Sequence, residues 1–232
     1  MREIVFDTET TGLDPYQGHR LVELGCIELL NRFPTGASFH RHLNPERDVP
    51  PEAFAIHGLS ADFLKDKPRF AEVVDEFLAF IGEAPLVAHN ASFDYGFICA
   101  ELERVKRPVL ARERLIDTLL LARRRHPAGP NRLDDLCARY GIDHSRRTKH
   151  GALLDAELLA EVYVELIGAR QATLVLVETV EGAREQRDGA SSTRARPAPL
   201  AVRIADGDHK AHRDFVATLG KESLWRKYLP GE

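Results

Sequence analysis

This sequence lacks a long apolar run. Nowhere in its 232 residues is there the roughly 20-residue apolar stretch that a membrane-spanning helix needs. The chain opens Met1-Arg2-Glu3 straight into an acid-interrupted strand, without a secretory leader. A cytoplasmic protein with no membrane partner is therefore expected. Cysteine is scarce as well. Cys26, Cys99 and Cys137 stand far apart, odd in number and without C-x-x-C spacing, which argues against a disulfide framework or a cysteine-built zinc site and leaves three buried thiols. A basic excess is also missing. The 32 Lys and Arg against 36 Asp and Glu give a net charge of −4, whereas a protein that captures nucleic acid unaided usually carries a basic face. Two local clusters, 123–125 (RRR) and 146–149 (RRTK), read as solvated loops as readily as phosphate contacts.

The chain has room for one good-sized domain plus appendages. Residues 3–9, 21–30 and 37–43 read as strands, the second apolar enough to be buried on both faces. A short helix begins at Ser60, and Phe70, Val73, Val74, Phe77, Leu78 and Ile81 follow helical spacing. Residues 85–89 form a short buried strand, after which Asn90 or Ser92 caps a helix reaching about Arg104. Leu115–Leu121 passes from strand into helix, with Asp117 or Thr118 as cap. Gly141 stops a helix that starts at Leu133, and a last helix runs from about Ala152 to Leu166. Strands first and then alternating β and α indicate an α/β domain with a mixed sheet. Beyond Leu176 the composition shifts. Residues 181–199, rich in Arg, Gly, Ala, Ser and Pro, read as a linker. Leu200–Ile204 is a possible strand and Ala211–Leu219 a short helix, followed by apolar groups around Trp225. So short a tail cannot bury a core of its own and should dock on a partner.

Chemistry enters with the acids. Asp7 and Glu9, two apart on a strand, present their carboxylates to one face. Asp94 stands near a helix start, and Asp155 in the first turn of the last helix, five residues after His150. Taken singly, Asp94 and Asp155 are ordinary N-terminal helix acids and His150 a surface histidine beside a basic cluster. Together, four carboxylates and a histidine are what phosphodiester hydrolysis with two magnesium ions requires, because magnesium takes oxygen ligands and an imidazole titrating near neutrality can accept a proton from water.

Three strings, 5–13 (VFDTETTGL), 87–94 (VAHNASFD) and 150–155 (HGALLD), resemble in order the three motifs of the DEDDh branch of the 3′–5′ exonucleases. The stretches 49–58 (VPPEAFAIHG), 136–140 (LCARY) and 147–156 (RTKHGALLDA) narrow the resemblance to the epsilon subunits of bacterial DNA polymerase III over residues 1–168. The resemblance implies an RNase H-like exonuclease fold with a five-stranded mixed sheet flanked by helices. It implies two divalent ions, Mg²⁺ or Mn²⁺, with Asp7, Glu9 and Asp155 holding one, Asp94 helping to hold the other, and His150 as general base. Glu52 and His57, otherwise read as a loop acid and a loop histidine, match positions that contact the terminal nucleotide alongside Asp7, Glu9, Thr10 and Asp155. Thr11 and Leu13 are expected along the same path.

Past that domain, 171–176 (QATLVL) resembles a sliding-clamp peptide built on Gln171, Leu174 and Leu176, without a final aromatic. The segment around Leu224 and Trp225 resembles a polymerase-binding tail. The domains expected are thus 1–168 exonuclease, 169–180 clamp peptide, 181–199 linker and 200–232 polymerase-binding tail. Expected partners are frayed or single-stranded DNA 3′ ends, the polymerase III alpha subunit, the beta clamp and, where present, the theta subunit. The reading is a proofreading 3′–5′ exonuclease. Its rivals are a stand-alone exoribonuclease of RNA processing and a noncatalytic scaffold of the polymerase.

Overall fold

The computed structural model describes residues 1–147, 149–168, 206–219 and 225. The first compact unit, Met1–Leu174, is built on a five-stranded sheet of order β3-β2-β1-β4-β5. β1 (Arg2–Thr10), β2 (Leu21–Leu30) and β3 (Phe33–His42) are antiparallel neighbours, while β4 (Leu86–Ala88) and β5 (Leu115–Asp117) extend from β1 in parallel.

Alternation along β1 assigns the two faces. Ile4 and Phe6 join Leu24, Cys26 and Phe39 under α3 (Phe70–Ile81) and α4 (Ser92–Arg104). Val5 turns the other way, with Leu29 and Val87, against a layer that includes α5 (Thr118–Arg125), α6 (Leu133–Tyr140) and α7 (Ala152–Leu166). A sheet covered on both sides explains the nearly unbroken apolar run of β2. Gly25 is where α7 comes closest: a Cβ there would collide with the backbone of Ala152 and Leu153. All three cysteines are free and buried, and burial raises each thiol pKa.

Several local expectations need correction. β3 begins at Phe33 rather than 37, because Asn31 and Arg32, at φ 52° and 73°, close a two-residue hairpin that pairs Leu30 with Phe33. Pro34 is tolerated on this edge strand. Residues 51–57, read as loop, are a helix, α1 (Pro51–His57), with proline at its first position and Gly58 at φ 74° closing it. The cap position of α4 is Ala91, which makes no side-chain bond, and not Asn90 or Ser92; Asn90 instead adopts φ 61°. Ser60 does cap α2 (Ala61–Lys65), and Asp117 caps α5.

In the second unit, α8 (Asp206–Thr218) starts earlier than expected. The exposed Trp225 ring meets His212 edge-on at 5.5 Å between centroids. The expected strand 200–204, the linker 181–199, and Gln171, Leu174, Leu176 and Leu224 lie outside the described residues. No described helix is long and apolar enough to cross a membrane.

Candidate active site

The carboxyl ends of the parallel strands β1, β4 and β5 open into a cleft of about 1310 Å³, at the edge where ligands collect on open α/β sheets. It is lined by Asp7, Glu9, Thr10, Glu52, His57, Asp94, His150 and Asp155, together with Thr11 and Leu13. The structure thus gathers every exonuclease-domain residue singled out from sequence.

β1 supplies Asp7 and Glu9 on the face covered by α7, which brings Asp155 over them from its first turn. Asp94 is reached from the opposite layer, and its carboxylate accepts a hydrogen bond from the Thr8 hydroxyl at 2.6 Å. Glu9, His150 and Asp155 offer ligand atoms within 4.8 Å of one another. Glu52 lies in the first turn of α1 and His57 in its last, so one short helix sets both on the rim. His57 Nδ1 accepts from the Leu59 amide at 3.0 Å, while its Nε2 is buried without a well-formed hydrogen bond, beside the backbone of Thr10. Leu13, 84% exposed, stands free at the mouth.

Burial and like charge set the electrostatics. Asp7 is pushed well above its ordinary value, first by burial and then by Asp94, Glu9 and Asp155. Glu9 rises to about 8, by burial and then by Asp155, Glu23 and Asp94. Asp94 rises to about 7, mainly by burial, with the Thr8 hydroxyl pulling it partly back. Asp155 behaves differently. Burial acts to raise it, but the hydrogen bonds and the charge of Arg147 outweigh that and hold it below its ordinary value.

Arg147 is the residue that sequence reading missed. Its place in a basic cluster suggested a solvated loop or a phosphate contact, yet its side chain is only 7% exposed. Nε and Nη2 donate to the two oxygens of Asp155, both at 2.6 Å, and Nη1 donates to Asp134 at 2.6 Å. Nη2 also donates to His150 Nδ1 at 2.8 Å, while that nitrogen stands 3.3 Å from Asp155 Oδ2. One guanidinium is therefore shared between Asp155 and Asp134, and Asp7, Glu9 and Asp94 are left without a cationic hydrogen-bond partner of their own. An oxygen-rich, electron-rich pocket of this kind fits hard divalent cations.

Residues 4–163 match the family model described as exonuclease. The chain is 44% identical over 224 residues to the DNA polymerase III subunit epsilon of Rickettsia felis, covering 95% of this chain and 98% of that one. It is 43% identical over 239 residues to the Escherichia coli protein of the same name, covering 97% of each. Among solved structures, exonuclease X in complex with 5′ overhanging duplex DNA aligns with TM-score 0.56 at 26% identity, over 72% of this chain and 91% of that one. The nuclease domain of 3′hExo, a DEDDh family member bound to rAMP, aligns with TM-score 0.62 at 15% identity, over 72% and 92%, and supports the RNase H-like fold alone. The chain belongs to the exonuclease family and, within it, to the group of the DNA polymerase III epsilon subunits.

Proposed function

We propose that this chain removes mispaired nucleotides from the 3′ end of nascent DNA, as the proofreading 3′–5′ exonuclease of a replicative polymerase III. The observation that carries the reading is the convergence in one cleft of four carboxylates from β1, α4 and α7 with His150 beside them. Asp7, Glu9 and Asp155 would hold one divalent ion and Asp94 would help hold a second, Mg²⁺ or Mn²⁺. When bound, such a pair lowers the pKa of the attacking water and stabilises the departing 3′ oxygen.

The protein's own groups do the rest. His150 takes the proton from the attacking water. For that its Nδ1–H must donate to Asp155, freeing Nε2 as the base, and Arg147 must withdraw the bond it now gives to Nδ1. Thr10, Glu52 and His57 seat the terminal nucleotide, with the exposed Leu13 along the path of the end. A frayed terminus is favoured because a mispaired base costs less to unstack.

The slight negative charge makes strong unaided DNA binding unnecessary to the account. The clamp peptide 169–180, with Gln171, Leu174 and Leu176, would tether the enzyme to the beta clamp. The tail 200–232, through Leu224 and Trp225, would tether it to the alpha subunit, and the linker 181–199 lets effective concentration replace affinity. Theta is a further partner where it exists, and the setting is the bacterial cytoplasm. Comparing a 3′-mispaired duplex, a matched duplex and a short RNA tests this. Preferred release of nucleoside monophosphates from the mispaired DNA supports proofreading. Preference for RNA favours the stand-alone exoribonuclease, and no metal-dependent release at all favours a scaffold.

A further inference from the structure

One strand away from the acid cluster lies a second group of metal-ligating side chains that the exonuclease chemistry does not use. In the sheet register Glu9 faces Glu23, and Glu23 faces His42, while Gly25 faces His40. Glu23, His40 and His42 therefore project from the same face as Asp7 and Glu9, on the β2–β3 side. The two histidines are two apart on one strand and act as a pair.

The contacts converge rather than spread. His40 Nε2 lies 2.6 Å from Glu23 Oε1, and His42 Nε2 lies 3.5 Å from the same oxygen. All three donor atoms fall within 4.8 Å of one another. Two imidazole nitrogens close to one carboxylate oxygen supply three candidate corners of a coordination site. Ligands about 2.0–2.1 Å from a tetrahedral zinc sit roughly 3.3 Å apart, so small side-chain adjustments bring these three atoms to coordinating separations. Phe63 packs edge-on against His42 at 5.1 Å and 86°, fixing the plane of that ring. Glu23 is buried, whereas the histidines are partly exposed, which leaves a path for an ion and room for water as a fourth ligand.

We propose that Glu23, His40 and His42 form a transition-metal site on β2–β3, distinct from the acid cluster and taking Zn²⁺ or Co²⁺ rather than Mg²⁺. Two imidazoles and one carboxylate suit the borderline-soft ions, while the all-oxygen set around Asp7 suits the hard ones. Glu23 is also one of the charges that disfavour ionisation of Glu9.

The test uses the full chain carrying Asp7→Asn and Asp155→Asn, which disables the acid cluster, in excess Mg²⁺. Titration with Zn²⁺ by calorimetry, and with Co²⁺ by visible absorption, should show one equivalent with tetrahedral Co²⁺ bands. Adding His40→Ala or His42→Ala should weaken that binding by on the order of 10²-fold or more, since loss of even an outer-shell partner costs about 10–100-fold. Glu23→Gln should do the same. Both histidines are partly exposed, and an unchanged far-ultraviolet spectrum would confirm that their variants fold. Zn²⁺ uptake that is absent from the acid-disabled chain, or that survives all three further substitutions, overturns the proposal.

Discussion

The active site has two halves that differ in how they are held. Asp7, Glu9 and Asp94 come from the sheet and from a helix packed against it; Glu9 and Asp94 are buried and Asp7 is half-buried, and all three carry pKa values raised first by loss of solvent and then by neighbouring carboxylates. The other half comes from the approach to α7. There His150 is 49% exposed, and Asp155, although 3% exposed, is held ionised by Arg147. The sheet half is a set of carboxyl groups whose ionisation awaits a cation, and the α7 half already has one. The contrast explains how a metal-dependent site folds before its metals arrive. A rigid layer fixes the geometry, and an internal guanidinium covers the carboxylate that closes the pocket.

The largest effects should fall on activity in both halves and on stability in opposite directions. Asp7→Ala and Asp155→Ala should each abolish nucleotide release in a single-strand assay with Mg²⁺. Without metal, Asp7→Ala should leave the melting temperature unchanged or higher, because it removes a repelled charge. Asp155→Ala should lower stability by up to about 3 kcal/mol, since removing one member of a buried pair strands its partner; Asp134 still holds Arg147 and limits the loss. Denaturant melts of the two metal-free variants compare them directly. Equal shifts would erase the distinction between the halves.

Next in size is His150→Ala, expected to slow hydrolysis by about 10²–10⁴-fold while calorimetric Mg²⁺ affinity largely persists. A collapse of metal affinity would make His150 a ligand instead of a base.

A pH effect on the sheet half follows. Glu9 and Asp94 have folded values of about 8 and 7 against ordinary values of 4.5 and 3.8. The folded state therefore binds more protons than the unfolded state between those limits, and metal-free stability must fall as pH rises from about 4 to about 8. Melting the metal-free chain across that range should reveal the decline, and saturating Mg²⁺ should flatten it. A flat metal-free profile would mean that the acids are compensated in some other way.

The smallest effect on chemistry should come from outside the domain. Changing Gln171, Leu174 and Leu176 together to alanine should weaken clamp binding and leave hydrolysis of a short oligonucleotide unchanged. Trp225→Ala should cost alpha-subunit binding about 2 kcal/mol or more, read from a binding titration. Unaltered binding in either case would remove that tether from the account.

Much of the sheet half was legible in the sequence, because a strand writes its faces in alternation: Asp7 and Glu9 two apart, after an apolar lead-in, could share only one face. The last helix was equally clear, and with it the first-turn position of Asp155. The order of the strands was not, since pairing across a sheet leaves no local trace. Helix α1 was hidden by its length and by the Pro50-Pro51 pair at its start, which reads as loop although proline suits a first helical turn. Arg147 was hidden for a different reason. Its partners Asp134 and Asp155 lie 13 residues before it and 8 after it and meet it only in the fold, so in the sequence it shows only a basic neighbourhood.

The claim on which all of this rests is that the cleft hydrolyses one phosphodiester at a time from the 3′ end and needs divalent metal to do so. Digesting a 5′-labelled single strand with the full chain, and resolving the products by mass, tests it in one experiment. The account predicts a ladder shortening one nucleotide at a time with release of nucleoside 5′-monophosphates in Mg²⁺, and none in excess chelator. Internal cuts, release from the 5′ end, or digestion that continues in chelator would contradict it.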